Sequence, residues 1–232
     1  MVQRWVRRSL WDVVPRDHRE TDAELRRRQA VTVAVVLVGA GMLAVSLRIE
    51  PGSLWFYPAT FAMAAIWALG AFASGPLHLG RIAAWRDRER LVRPVVAPVL
   101  LGLGLAGVFV VGGLVVREIP WLDRQVRSVT DFADQGSLPL LVVITAVNGV
   151  AEELFFRGAA YAAVPRHPVV WTTVAYVLAT LATGNVMLTF AAVVLGVVVG
   201  LQRRASGGIL APVLTHCTWS LAMLVALPLL FG

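Results

Sequence analysis

The sequence predicts an all-α fold, a polytopic membrane bundle of about seven transmembrane helices. Three observations lead there. Of 232 residues, 58% are hydrophobic and only 15% charged, with a mean hydropathy of +0.73, whereas an ordinary soluble domain is about 25% charged. Seven nearly uncharged stretches each approach the ~20 residues that a helix needs to cross ~30 Å of hydrocarbon. The arginines gather in alternate connections, as the positive-inside bias of membrane proteins requires.

Residues 1–29 mix both charge signs, with Trp5 and Trp11 spaced among arginines and Arg26, Arg27 and Arg28 abutting the first apolar run. They read as a cytoplasmic segment, either a short amphipathic helix at the membrane interface or a tail pinned there by charge. The bundle proper is expected over 30–232, with spans at 30–47, 57–77, 95–116, 139–164, 168–183, 186–202 and 209–231. The uncharged stretch between His167 and Gln202 is too long for one span, and Gly184-Asn185 supplies a turn in its middle. The connection 117–138 carries Glu118, Asp123, Asp131 and Asp134 with an amphipathic turn at Trp121-Leu122, so an eighth or re-entrant helix stays open there.

Eight arginines precede the first span, five lie at 81–93, three at 117–127, one at 166 and two at 203–204, with none at 50–58 or near 184. This pattern places the N-terminus in the cytoplasm and, with seven spans, the C-terminus outside. All 21 basic residues are arginine, a composition expected of a GC-rich, bacterial genome. The net charge of +7 is accounted for by topology and contact with anionic lipid of the bilayer, and no folded basic module exists to bind nucleic acid. The single cysteine, Cys217, excludes an intrachain disulfide and a cysteine-rich metal site.

Within the fourth span stands Ala151-Glu152-Glu153-Leu154-Phe155-Phe156-Arg157-Gly158. A carboxylate in hydrocarbon costs roughly 2.5 to 3.5 kcal/mol on insertion scales, so two adjacent acids are a functional site by default. On a helix Glu153 and Arg157 share a face with the acid N-terminal to the base, the favourable order for an ion pair. Glu152 projects about 100° away, with Asn148 as its upstream polar neighbour, and is left for proton chemistry. The plainer alternative is that both acids only bind Arg157 and lock the bundle. His216 and Ser220, four apart on the last span, also share a face. Glu152 and His216 are each roughly 10 Å from the cytoplasmic edge by helix rise, and a carboxylate and an imidazole at one depth can activate a water. No cofactor is expected. Zinc is the less favoured alternative, because a metal would need both acids and the one intramembrane histidine with Arg157 opposing it, and no His-Glu-x-x-His motif is present.

These residues resemble the CAAX protease and bacteriocin-processing (CPBP, Abi) family of intramembrane glutamate endopeptidases. Glu152-Glu153-x-x-x-Arg157 matches its first signature. Gly207 to His216 resembles its last, a short loop before a helix bearing His-x-x-x-Asn or Asp. The likeness covers about 138–225 and implies a peptidase in which Glu152 is the base, Glu153 with Arg157 holds the site together and His216 assists. The family's middle motif, Phe-x-x-x-His, falls at Tyr176 to Thr180, so Thr180 replaces its histidine, and Ser220 replaces the final asparagine. Thr180, Ser220, Asn148 and Asn185 (with Thr183) are the auxiliary candidates, although Asn185 is also an ordinary turn residue after Gly184. The implied substrate is a peptide or membrane-anchored protein cut near the cytoplasmic leaflet. The competing readings are a catalytically weak member acting as a membrane scaffold and, third, a proton-linked transporter.

Overall fold

The computed structural model describes residues 2–15, 18–46, 49, 53–87, 89–135 and 137–232. Its helices are α1 (Val2–Leu10), α2 (Asp22–Ser46), α3 (Phe56–Ser74), α4 (Val96–Val116), α5 (Pro120–Gln135), α6 (Leu138–Ala163), α7 (Pro168–Leu181), α8 (Val186–Ser206) and α9 (Leu210–Phe231). A two-residue hairpin, β1 (Ile82–Ala83) and β2 (Leu91–Val92), joins α3 to α4 in antiparallel register. The molecule is an all-helical multi-pass membrane bundle. α9 packs on α4 and α6, α3 on α6, α2 on α3 and α7 on α8.

Each predicted span folds as a helix, but with different lengths. Among the described residues, α3, α4, α6, α8 and α9 are long and apolar enough to cross a membrane. α7 has 14 residues, about 21 Å at the helical rise, too short to span ~30 Å alone. The predicted span at 168–183 is corrected in that respect, because Thr183, Gly184 and Asn185 are spent on the turn. The first apolar run rides on a helix that starts earlier, at Asp22, and the predicted end at residue 47 lies outside the described residues. The early start is a capping box: Thr21 Oγ1 accepts from Glu24 N at 3.3 Å while Glu24 Oε2 accepts from Thr21 N at 2.7 Å.

The connection 117–138 contains α5, which is amphipathic and does not rank among the spanning helices. It lies across the ends of two others. Asn185 Nδ2 donates to the Gln125 carbonyl at 2.6 Å, and an Arg127 guanidinium nitrogen donates to the Phe231 carbonyl. At the opposite, arginine-rich end, Arg28 is buried and pairs with Glu20 while donating to Ser74 Oγ and the Pro76 carbonyl at 3.3 Å each. α1 docks on α8 and on the hairpin. Val14 N bonds to Ala205 O at 3.1 Å, and Arg204 stacks over Trp11.

The short loop between α8 and α9 is sewn to the chain after α3. Arg81 N donates to Ser206 O at 2.9 Å, Ile209 N to His78 O at 2.8 Å and Leu210 N to Leu79 O at 3.1 Å. Gly208 permits this approach, since a Cβ there would overlap Gly80 N, Leu79 C and His78 O. The obstacles are backbone atoms and cannot rotate away. Gly208→Ala is therefore expected to destabilise by at least the roughly 1–3 kcal/mol typical of overpacking, seen as a lowered thermal midpoint in detergent. Gly104→Ala, where an added Cβ meets nothing within 4 Å, is the control and should leave the midpoint unchanged or slightly raised.

Candidate functional site

α6 changes character where its acids end. Leu138–Glu153 is α-helical, Leu154–Ala160 winds as a π-helix and Tyr161–Ala163 returns to α. The wider turn lets both consecutive phenylalanines reach the interior, which an α-turn at 100° per residue makes difficult. Phe155 and Phe156 pack against Trp67 of α3 with ring centroids 4.7 and 5.4 Å away, and Phe156 also meets Tyr176 of α7 at 5.2 Å. Arg203 of α8 donates from Nε to the Arg157 carbonyl at 2.6 Å and holds the wide turn from outside. π-turns of this kind occur frequently at functional sites.

Three side chains converge at the start of that turn. Glu153 Oε1 accepts from Arg157 Nη1 at 2.9 Å and lies 2.8 Å from His216 Nδ1; the Glu153 and Arg157 side chains are fully buried. A carboxylate paired with arginine can only accept, so Nδ1 carries the hydrogen and Nε2 of a neutral ring is left with a lone pair. That nitrogen faces Glu152 Oε2 at 4.0 Å. The Glu152 side chain keeps 26% of its surface accessible whereas Glu153 keeps none, so Glu152 is the acid of the pair that reaches accessible surface. Its Oε2 is itself buried and, like Glu153 Oε2, has no hydrogen-bond partner among the described residues.

α9 is held in the rotation that aims His216 at α6. Thr215, the preceding residue, donates from Oγ1 to the Pro98 carbonyl of α4 at 2.9 Å and accepts from Gln202 Nε2 of α8 at 2.8 Å. On the other side Gly149 opens the approach to α6, since a Cβ there would sit 3.1 Å from Cys217 Sγ. Arg157 completes the cluster by donating to the Gly196 carbonyl at 3.4 Å and lying 4.9 Å over the Tyr176 ring.

The auxiliary candidates divide differently. Asn148 donates from Nδ2 to the Ile144 carbonyl of its own helix at 3.0 Å. Thr180 likewise donates to the Tyr176 carbonyl at 3.0 Å. Asn185 caps α8, accepting from Leu188 N at 2.9 Å, and Thr183 donates to the Thr180 carbonyl at 2.7 Å in the same turn. Both are thereby committed to the α7–α8 connection. Ser220 lies one turn beyond His216, half-buried. The sequence reading left one group out: Tyr176, treated as an aromatic position alone, brings a phenol into the cluster. Its signal was the hydroxyl gained where the motif has phenylalanine, four residues before a histidine is lost. Among the described residues no set of three or more His, Cys, Asp or Glu side chains is arranged to hold a metal ion.

The segment that builds this cluster, residues 134–222, matches the family model described as Rce1-like, type II CAAX prenyl endopeptidase. Over these residues the chain is similar to that family. The match agrees with the CPBP resemblance and runs from the end of α5 through most of α9, so it includes Glu152, Glu153, Arg157 and His216. The helices of the matched segment supply the side chains of the cluster, while α3 and α4 brace it from the N-terminal half. No curated protein and no solved structure matched the chain.

Proposed function

We propose that the protein is a CPBP-type intramembrane endopeptidase that hydrolyses a peptide bond of a membrane-associated protein or peptide by Glu152-activated water. One observation carries this reading: the buried, unpartnered Oε2 of Glu152, whose side chain elsewhere reaches accessible surface, faces Nε2 of His216 across 4.0 Å. That separation is too long for a direct hydrogen bond and suits one bridging water. The water would give one hydrogen to each group, leaving its oxygen free to attack a carbonyl. Glu152 takes the proton as the C–O bond forms, then passes it to the departing amide nitrogen as the C–N bond breaks. Glu153, held by Arg157, fixes the imidazole tautomer through His216 Nδ1. The arginine distribution supports a site toward the cytoplasmic leaflet of the cell membrane with the N-terminus on that side. No cofactor is needed for this chemistry. The test is cleavage of membrane-tethered peptides by detergent-purified protein; failure to cut any, with intact fold, would sink the proposal.

A second reading, a catalytically weak member acting as a membrane scaffold, draws on Thr180, whose hydroxyl is turned back on its own helix. It predicts that Thr180→His with Ser220→Asn raises a low baseline, on the order of the 10²-fold or more that one oxyanion donor supplies. The peptidase reading expects substantial wild-type turnover, changed less than tenfold by the pair. Initial rates of the two proteins on one peptide separate these outcomes.

A further inference from the structure

A carboxylate that takes a proton from water works best when donors fix its orientation, because misplacement by a fraction of an ångström is costly. Glu152 has few candidates for that task. Arg157 is committed to Glu153 and the Gly196 carbonyl, and His216 Nδ1 is committed to Glu153. The remaining wall is α7, whose hydroxyls on this side are those of Tyr176, Thr180 and Thr173, the last lying against Gly196 of α8. That of Thr180 is spent on the Tyr176 carbonyl. That of Tyr176 belongs to a ring 6.4 Å from the His216 ring, which in turn faces Glu152 at 4.0 Å, and is left available to the Glu152 carboxylate.

The ring behind that hydroxyl is held on several sides. Arg157 lies over its face at 4.9 Å, Phe156 meets it edge-on at 5.2 Å and His216 lies 6.4 Å away. A cation over the face and an aromatic edge fix the plane without using the O–H. A phenol is also a donor that stays protonated near neutrality and adds no charge beside an acid.

We infer that Tyr176 is a positioning residue for Glu152: its hydroxyl donates to the carboxylate and holds it toward His216, a task for which Thr180 is not placed. The inference rests on the peptidase reading for its consequence and, for the bond, on the place of the Tyr176 ring among Arg157, Phe156 and His216.

Tyr176→Phe removes one oxygen and keeps every ring contact. It is expected to lower kcat about tenfold to a hundredfold, the span of one hydrogen bond to a charged group, with KM and thermal midpoint unchanged. Adding Thr180→His in that background puts a new donor one turn along the same face and should recover part of the loss. Infrared difference spectra give a readout that does not depend on turnover. The carboxylate stretch should shift between wild type and Tyr176→Phe, and that shift should vanish in a Glu152→Gln background. Wild-type kcat in Tyr176→Phe, with Glu152→Gln inactive, would overturn the positioning role and leave the peptidase reading standing. A midpoint that falls in parallel with activity would make the hydroxyl structural and overturn it too. Absence of the infrared shift overturns the bond even if no peptide is cut by any variant.

Discussion

Glu152→Gln is expected to abolish peptide cleavage, with a loss of about 10²- to 10⁴-fold, the range that a positioned general base contributes. The substitution is close to isosteric and removes a charge from the membrane interior instead of adding one, so the fold should survive. Its environment makes the result specific. The acid is the member of the pair with accessible side-chain surface, its Oε2 faces His216 Nε2, and it is not the residue that holds Arg157. The check is kcat/KM on a membrane-tethered peptide together with a thermal midpoint in the same detergent. Retained activity with an unchanged midpoint would remove Glu152 from the mechanism and return the pair of acids to a structural role.

Arg157→Ala should have the largest effect on stability. Glu153 and Arg157 are both inaccessible to solvent and bonded at 2.9 Å, and removing one partner of such a pair costs about 3–5 kcal/mol because the other charge stays buried. The guanidinium also caps the Gly196 carbonyl and covers Tyr176, so packing is lost along with charge. Thermal unfolding should show a large fall in midpoint. Glu153→Leu with Arg157→Met should recover most of it, because two apolar side chains of similar volume do not pay desolvation. A double variant as unstable as the single one would mean that the pair contributes through something other than its charges. Activity should be lost in the double variant even where stability returns, since His216 Nδ1 then has no carboxylate to hold its tautomer.

Much of this was legible in the residues themselves. The acids, their order relative to Arg157 and the four-residue spacing follow from helical periodicity, which is local. The depth of His216 followed from counting residues along two apolar helices. Hydrophobic run lengths placed the helices, but overran at α7, where a turn takes residues that are as apolar as the span. α2 begins earlier than its apolar run, through the Thr21–Glu24 capping box, which is a polar signal overlooked beside the arginines. Asn185 was read both as a turn residue and as an auxiliary donor; it caps α8 and ties it to α5.

What the sequence alone determined, then, is which side chains are in the membrane and which of them are near neighbours along one helix, since both follow from hydrophobicity and from the 3.6-residue repeat. The tertiary structure decided the rest. His216 bonds to the buried acid and faces the accessible one because Gly149 lets α9 close on α6 and Thr215 sets its rotation. Tyr176 enters because α7 brings its ring beneath Arg157. The π-turn after Glu153 arises where Phe155 and Phe156 are both packed inward. Each of these is a contact between helices, fixed by packing and rotation that no single helix's periodicity contains.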